Sequence, residues 1–346
     1  MKTLGSLLMV ASMMLAACAR PLPSGVTELT YATPYAPTHP FSRADQRWID
    51  HVERASGGSL KIVPMWSGAL LSSDMSLEEL RHGVADIGLI TPIYTRGGTH
   101  LVRIQSGFYS GADTIDAQVA LYRCLEASVP QLSRELHGLH VLAVQGGLLP
   151  GIVTSKRRVR TLADLKGLRI RAPTELLAVL RELGADPVNM PMGEVYSAMA
   201  RGVIDGVIAP VDTFRALHFD EVGRYYAALS VPRGAYPSRA MSDAAWRRLS
   251  PAQRNLLQQS RSVWEAALRD EIEKSAQIGE AAARKANVRI TPFDAAEQAR
   301  FDALYLVDAQ ANARALADLG IDGLDAFRRA RASVRPNGSI ECGGTA

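Results

Sequence analysis

Two arginines at alternate positions, Arg169 and Arg171, stand in the run Leu168-Arg169-Ile170-Arg171-Ala172. A guanidinium is a planar fork of donors that matches a carboxylate in bidentate fashion, and its charge cannot be titrated away. Alternation of this kind is equally the polar face of a half-buried strand. Pro173 and Thr174 follow and lead into a helical stretch. A helix N-terminus offers free amide donors and the positive end of its dipole to an anion. Thr174 either adds a hydroxyl donor to a ligand or simply caps that helix. Glu194 and Tyr196 read as structural, with Glu194 in the first turn of its helix, where a negative charge suits the dipole. Enzyme chemistry has no support: Gly-x-Ser-x-Gly, His-Glu-x-x-His, a phosphate-binding loop and a dinucleotide fingerprint are all absent. The seven histidines are scattered, and no Cys-x-x-Cys or paired-His spacing suggests a metal, so no cofactor is expected.

The elements that must carry these residues alternate between short strands and amphipathic helices, the pattern of an α/β fold. Strands are expected at 29–32, 60–63 and 87–90, and again at 168–172, 187–190 and 205–208. Ser42 with Asp45 three residues on reads as a helix cap, and Gly57-Gly58 as the stop of that helix. A helix at 175–183 ends at Gly184, and another at 194–200 stops at Gly202. Gly83-Val84-Ala85-Asp86 and Gly202-Val203-Ile204-Asp205 occur at the same point of the two halves, so the mature chain reads as two similar lobes. Asp86 and Asp205 then share a structural role. Residues 251–287 form the longest helical pattern, either one bracing helix or two helices broken near Gly279.

The stretch 166–210 resembles the signature of the solute receptors of tripartite ATP-independent periplasmic (TRAP) transporters, the dicarboxylate-type family. Arg171, Thr174, Pro187, Glu194, Tyr196, Gly202, Asp205 and Gly206 fall in register with the family pattern. The resemblance implies a type II-like, two-lobed α/β periplasmic binding protein with an interlobe ligand cleft and a long helix bracing both lobes. Lobe I is expected over 26–148 plus about 236–285, and lobe II over 149–235 plus about 286–335. It also implies that Arg171 grips the carboxylate of an organic acid, while Arg169 stays on the surface. Met192 falls where the family places an apolar or aromatic contact, and Tyr236 follows a lobe crossover near which a ligand-facing residue is common. Tyr35, His39, Ser73, Thr91 and Tyr94 fall at strand ends or helix starts, the edges that face the cleft in such folds.

Two positions depart from the best-known members. Gly151 stands about where many carry a second arginine, and Asp205-Gly206 is followed by Val207-Ile208-Ala209-Pro210 where many carry a Glu-Asn or similar polar pair, so the asparagine expected to contact a second carboxylate is missing. With one arginine counted, the expected ligand is a monocarboxylate with an apolar part, and Val207, Ile208, Ala209 and Met192 are expected to line its pocket. A second carboxylate would be desolvated without a partner. The implied function is a non-catalytic receptor that delivers its acid to TRAP membrane permease subunits. The rivals are a receptor reporting to a sensor protein, and an exported enzyme acting in the cleft.

The N-terminus carries Lys2, an apolar run at 7–17 and then Leu15-Ala16-Ala17-Cys18. That run is too short to span a bilayer and suits a signal peptide. Its last four residues look like a bacterial lipobox, with 1–17 removed, Cys18 lipidated and 18–25 as a tether; the alternative is an ordinary secretory signal. Either way the protein is exported; on the lipobox reading it is periplasmic, held to the membrane by lipid alone, and expected as a monomer. The 346 residues carry a formal charge of +4 without a basic block interleaved with aromatics, so nucleic acid is excluded as a partner. Cys124 and Cys342 are then the two thiols left in an oxidising compartment, either bridged or separate. The tail 336–346 is Gly-rich and expected to be loose.

Overall fold

The computed structural model describes residues 25–95 and 97–343, and Cys18 lies outside them. Two separate sheets organise the chain into two lobes. In lobe I, β1 (Thr27–Ala32), β2 (Leu60–Met65), β3 (Ile87–Leu89), β4 (Leu139–Gln145) and β10 (Tyr236–Ser242) lie in the order β2-β1-β3-β10-β4. In lobe II, β5 (Gly151–Thr154), β6 (Arg169–Arg171), β7 (Asp186–Val188), β8 (Gly206–Ala209), β9 (Tyr225–Ala228) and β11 (Arg289–Pro292) lie in the order β11-β9-β5-β8-β6-β7. Each lobe has three adjacent parallel strands, β2-β1-β3 and β7-β6-β8. Each trio is followed by an antiparallel strand, β10 or β5, that arrives from the other lobe.

The repeated Gly-x-x-Asp has one physical role in both lobes. Gly83 (φ 77°) and Gly202 (φ 70°) take the left-handed conformation that ends a helix. Three residues on, the Asp86 carboxylate accepts the backbone N–H of Thr30 at 2.8 Å, on the strand beside its own. Asp205 does the same for Arg169, also at 2.8 Å. Each aspartate therefore satisfies a donor on the neighbouring strand one residue before the parallel ladder between the two strands begins, at Tyr31–Ile87 and Ile170–Gly206.

Six helices matter for the site: α1 (Pro40–Ala55), α2 (Ile115–Ser128), α3 (Met192–Ala200), α4 (Arg261–Lys285), α5 (Ala295–Ala315) and α6 (Gly323–Ser333). The cap of α1 is His39, whose Nδ1 accepts the Phe41 N–H at 3.2 Å, and not Ser42. Pro40 begins the helix because its fixed φ suits the first helical position. The 251–287 pattern is broken at Ser260, between the helix Pro251–Gln259 and α4, and not at Gly279. Gly279 lies inside α4 because a Cβ there would stand 2.2 Å from the Val211 carbonyl oxygen of lobe II. Its missing side chain lets the helix touch that lobe, at a cost in helix propensity of about 1 kcal/mol relative to Ala.

At its other end α4 is fastened to lobe I. Trp264 stacks on Trp48 of α1 with ring centroids 3.7 Å apart, and its Nε1 donates to Asp45 Oδ1 at 2.8 Å. Asp45 also receives Nε and Nη2 of Arg239 from β10 at 3.0 and 3.3 Å. This buried pair satisfies its fork of donors, as burial of two charges requires.

A disulfide joins Cys124 of α2 to Cys342, with Cα atoms 5.1 Å apart. The segment after α6 is further tied by the Val334–Ile340 bridge and by Arg335 Nε donating to Glu341 at 2.9 Å. Residues 336–343 are therefore pinned, where composition alone suggested a loose tail. The C-terminal helices straddle the lobes, since α6 packs on α2 of lobe I while α5 meets both α6 and lobe II.

Candidate ligand cleft

The chain crosses between lobes at 146–150, from β4 to β5, and at 229–235, from β9 to β10. These crossings and the C-terminal ends of the parallel strands enclose a cavity of about 140 Å³. Such ends are where ligands bind in open α/β sheets, because loops and helix starts converge there.

Arg171 closes β6 and is 2 % exposed. Its Nε donates to the Met190 carbonyl at 3.0 Å, and its Nη2 donates to the Tyr94 hydroxyl of lobe I at 2.8 Å. The guanidinium also stands 5.7 Å from the centre of the Tyr94 ring. Among the described residues no carboxylate forms an ion pair with it. Arg169 faces outward and pairs with Asp186 at 2.7 Å.

Tyr35, His39, Tyr94, Met192 and Tyr236 line the same cavity. The Tyr35 ring stacks on His39 at 4.1 Å, and Phe41 meets both edge-on, at 5.3 and 4.7 Å. Burial, helped by the nearby Arg239 and Arg43 charges, pushes the His39 pKa down to about 3. His39 is thus neutral, with its proton on Nε2 because Nδ1 accepts from Phe41. Burial likewise pushes the Tyr35 and Tyr236 hydroxyls up, so both remain un-ionised donors.

Five expected residues are not in the wall. Ala209 points to the core with Val207, while Ile208 between them faces the cavity, as the two-residue period of β8 requires. Thr174 stands aside on a 3₁₀ turn (Thr174–Leu176) that precedes the helix Leu177–Glu182, and its neighbours Pro173, Glu175 and Leu176 line the space instead. Thr91 is buried behind the turn Pro92–Tyr94; its carbonyl accepts the Tyr94 N–H at 3.0 Å, so it positions Tyr94. Ser73 lies in a separate outer groove with Arg43 and Tyr196.

The structure adds three charged residues that the sequence did not single out. Arg233, on the second crossing, lines the cavity and lies so close over Gly147 that a Cβ there would meet its guanidinium at 2.3 Å. The premise of a single arginine is therefore corrected. The second cation comes from a crossing segment and not from position 151, where a Cβ would stand 2.5 Å from the Ala227 carbonyl. Asp212, 7 % exposed, has its pKa raised to about 6 by burial, with Arg233 pulling the other way. Glu175 is also pushed up by burial, against the fields of Arg171 and Arg233. Arg233 could have been noticed from its place three residues before Tyr236 in the crossing; Asp212 and Glu175 carry no motif.

The cleft geometry is that of a receptor for a small anion, and the sequence pattern of bacterial extracellular solute-binding protein family 7 matches residues 31–310. The chain belongs to this family of TRAP solute receptors. As a TRAP receptor it is periplasmic, binds small organic acids, works with TRAP membrane subunits and is not an enzyme. A solute-binding protein of Albidiferax ferrireducens is 26 % identical over 254 residues, 70 % of this receptor and 73 % of that protein. The 2,3-diketo-L-gulonate-binding periplasmic protein of Escherichia coli is 26 % identical over 198 residues, covering 56 % of this receptor and 58 % of that one. Among solved structures, a TRAP solute binding protein from Rhodoferax ferrireducens with copurified benzoate superposes with a TM-score of 0.81 at 24 % identity. That match covers 89 % of this receptor and 97 % of that chain. The two-lobed α/β fold of the TRAP receptors is thus the fold of this chain, with α4 touching both lobes. No helix among the described residues is long and apolar enough to cross a membrane.

Proposed function

We propose that this receptor takes a monocarboxylate whose remainder is compact and apolar. The observation that carries the reading is the buried Arg171 fork, without a carboxylate partner, on the wall of a small and largely apolar cavity. Ile93, Leu148, Met192, Ile208 and Val231 supply apolar surface, worth roughly 25 cal/mol per Å² buried. A dry cavity of about 150 Å³ is large enough for one benzene ring, so the volume of about 140 Å³ suits a single ring or a branched chain. Arg233 does not turn the site into one for two carboxylates. Asp212 and Glu175 already stand in the fields of the two arginines, so a dicarboxylate would bring excess negative charge into a buried wall. The benzoate of the Rhodoferax protein is an acid of the proposed kind, and the diketogulonate of the Escherichia coli protein is not; the ligand is therefore argued from this cleft alone.

A thermal-shift screen tests the reading. Benzoate, phenylacetate or branched 2-oxo acids should raise the melting temperature. Stabilisation by succinate or sialic acid, with none by those monocarboxylates, would overturn it.

Anchoring by lipid on Cys18 belongs to the same proposal and is supported by the Leu15-Ala16-Ala17-Cys18 pattern; the mature chain is proposed to be a monomer. Metabolic labelling with a fatty acid should mark the wild type and not Cys18→Ser.

A further inference from the structure

The two crossings between the lobes meet at Gly147. On the first crossing, Gln118 of α2 clamps the Gly147 backbone: its Nε2 donates to the Gly147 carbonyl at 3.0 Å, and its Oε1 accepts the Gly147 N–H at 2.8 Å. Gln118 is fully buried. It comes this close because Gly146 has no side chain; a Cβ there would stand 2.8 Å from Oε1. From the second crossing the Arg233 guanidinium lies across Gly147, where a Cβ would stand 2.3 Å from Nη1, 2.6 Å from Cζ and 3.0 Å from Nη2. Two glycines thus admit an amide and a guanidinium onto one stretch of backbone.

Arg233 is half-buried and lines the cavity. Among the described residues no carboxylate forms an ion pair with it. Its charge reaches other groups that border the same space. Burial pushes up the carboxyls of Asp212 and Glu175 and the hydroxyl of Tyr236, and the Arg233 field pulls each of them back.

Arg171 cannot satisfy a buried carboxylate alone. Its Nε donates to Met190 and its Nη2 to Tyr94, which leaves Nη1 and the second Nη2 proton for an end-on grip. A carboxylate presents about four lone-pair sites. Burying the ion with half of them unmet is costly. A second guanidinium fills two more and adds charge, where a tyrosine hydroxyl fills one.

We propose that Gln118 and Gly147 form a seat that presents Arg233 to the cavity, and that Arg233 completes the grip on the ligand carboxylate that Arg171 begins. The inference rests on the monocarboxylate reading above and assigns a second binding residue and its two positioning residues within it. Gly147 acts through Arg233, because a methyl at this position would push the guanidinium aside. The end of a flexible side chain can move without unfolding the crossing. Gly147 has no positive φ, so alanine adds no backbone strain there.

The test is calorimetric titration of the full mature protein with benzoate, phenylacetate and a branched 2-oxo acid. It is run on the wild type, Arg171→Ala, Arg233→Gln, Gly147→Ala and the double variant Gly147→Ala with Arg233→Gln. Glutamine ends before the position of Cζ, so it removes every atom that a methyl on residue 147 would meet. Arg233→Gln should weaken binding roughly ten-fold or more, the range of hydrogen bonds to a charged group. The melting temperature of the ligand-free protein should not fall, since no ion pair of Arg233 is lost. Gly147→Ala should weaken binding about five-fold or more alone and less than about two-fold when Arg233→Gln is already present, because a positioning residue acts only through the group it positions. Unchanged affinity in Arg233→Gln, with binding abolished in Arg171→Ala, would overturn the role of Arg233 and leave the monocarboxylate reading standing. Equal losses from Gly147→Ala in both backgrounds would overturn the seat. Recovery of affinity when Asp212→Asn is added to Arg233→Gln would mean that Arg233 only balances Asp212, and would overturn its contact with the ligand. Binding of none of these acids by the wild type would overturn both readings.

Discussion

Arg171 of lobe II donates from Nη2 to the hydroxyl of Tyr94 of lobe I at 2.8 Å, across the cleft. The residue that would grip the ligand is therefore also a latch between lobes. Its Nε is held by the Met190 carbonyl at 3.0 Å, which fixes the plane of the fork. On the proposed reading binding and closure share one guanidinium, so perturbing either partner should alter the kinetics of ligand release as well as affinity.

Arg171→Lys should lose most affinity for any acid ligand even though the charge is kept. A lysine is a point charge and cannot hold Met190, Tyr94 and a carboxylate in one plane. Disrupting a buried charge pair costs about 2–5 kcal/mol, or roughly 30-fold or more in Kd. Near-normal calorimetric binding by this variant would refute the assignment.

Tyr94→Phe keeps the ring near Arg171 and removes the hydroxyl latch. The expected result is a ligand off-rate raised about ten-fold with a smaller change in on-rate, since interface losses fall mainly on dissociation. Stopped-flow measurement of both rates decides it; an unaltered off-rate would mean that the bond contributes nothing to closure.

His39 should make the fold acid-sensitive. Its folded pKa lies near 3 against 6.5 for an ordinary histidine. Between these values the unfolded chain binds a proton that the folded protein does not, so stability falls as pH drops from 6.5 toward 3. His39→Asn retains a good cap for α1 and removes the titration. Between pH 6.5 and 4 the variant should lose less stability than the wild type by at least about 1.4 kcal/mol, the worth of one pKa unit. Asp212 works in the opposite sense: its pKa of about 6 makes stability fall as pH rises from 3.8 to 6. Denaturant melts of both proteins across this range check the difference.

The Cys124–Cys342 bridge closes a loop with a sequence separation of 218 residues. Chain-entropy arguments put an upper bound of about 5 kcal/mol on such a loop. Cys342→Ser should therefore lower the melting temperature under non-reducing conditions, and reduction should bring the wild type down to the same value. Reaction of both thiols with a thiol reagent in the unfolded, non-reduced protein would show that no bridge exists.

Much of the scaffold is legible along the chain because its determinants are local. The strands at 29–32, 60–63, 87–90, 168–172, 187–190 and 205–208 all appear within two residues of those bounds, since short apolar runs bounded by glycine specify them. Asp86 and Asp205 share a structural role, which was readable from their repeated context and is now accounted for by one hydrogen bond each. The cap of α1 was misplaced because Ser42 and Asp45 fit a capping pattern. Asp45 is instead drawn inward by Arg239 and Trp264, partners almost two hundred residues or more away.

What the sequence by itself determined is the family, the α/β grammar and the place of Arg171 at the end of a strand, because motif spacing and hydrophobic period depend on near neighbours. The tertiary structure alone decided what surrounds Arg171. Period two turns Ile208 into the cavity and Ala209 away from it, and the second crossing brings Arg233 over Gly147. It also buries one unpartnered carboxylate oxygen each of Glu175 and Asp212, two residues that border the cavity. These residues come from segments far apart along the chain, and their burial and mutual fields arise only once two lobes and a brace enclose a common space.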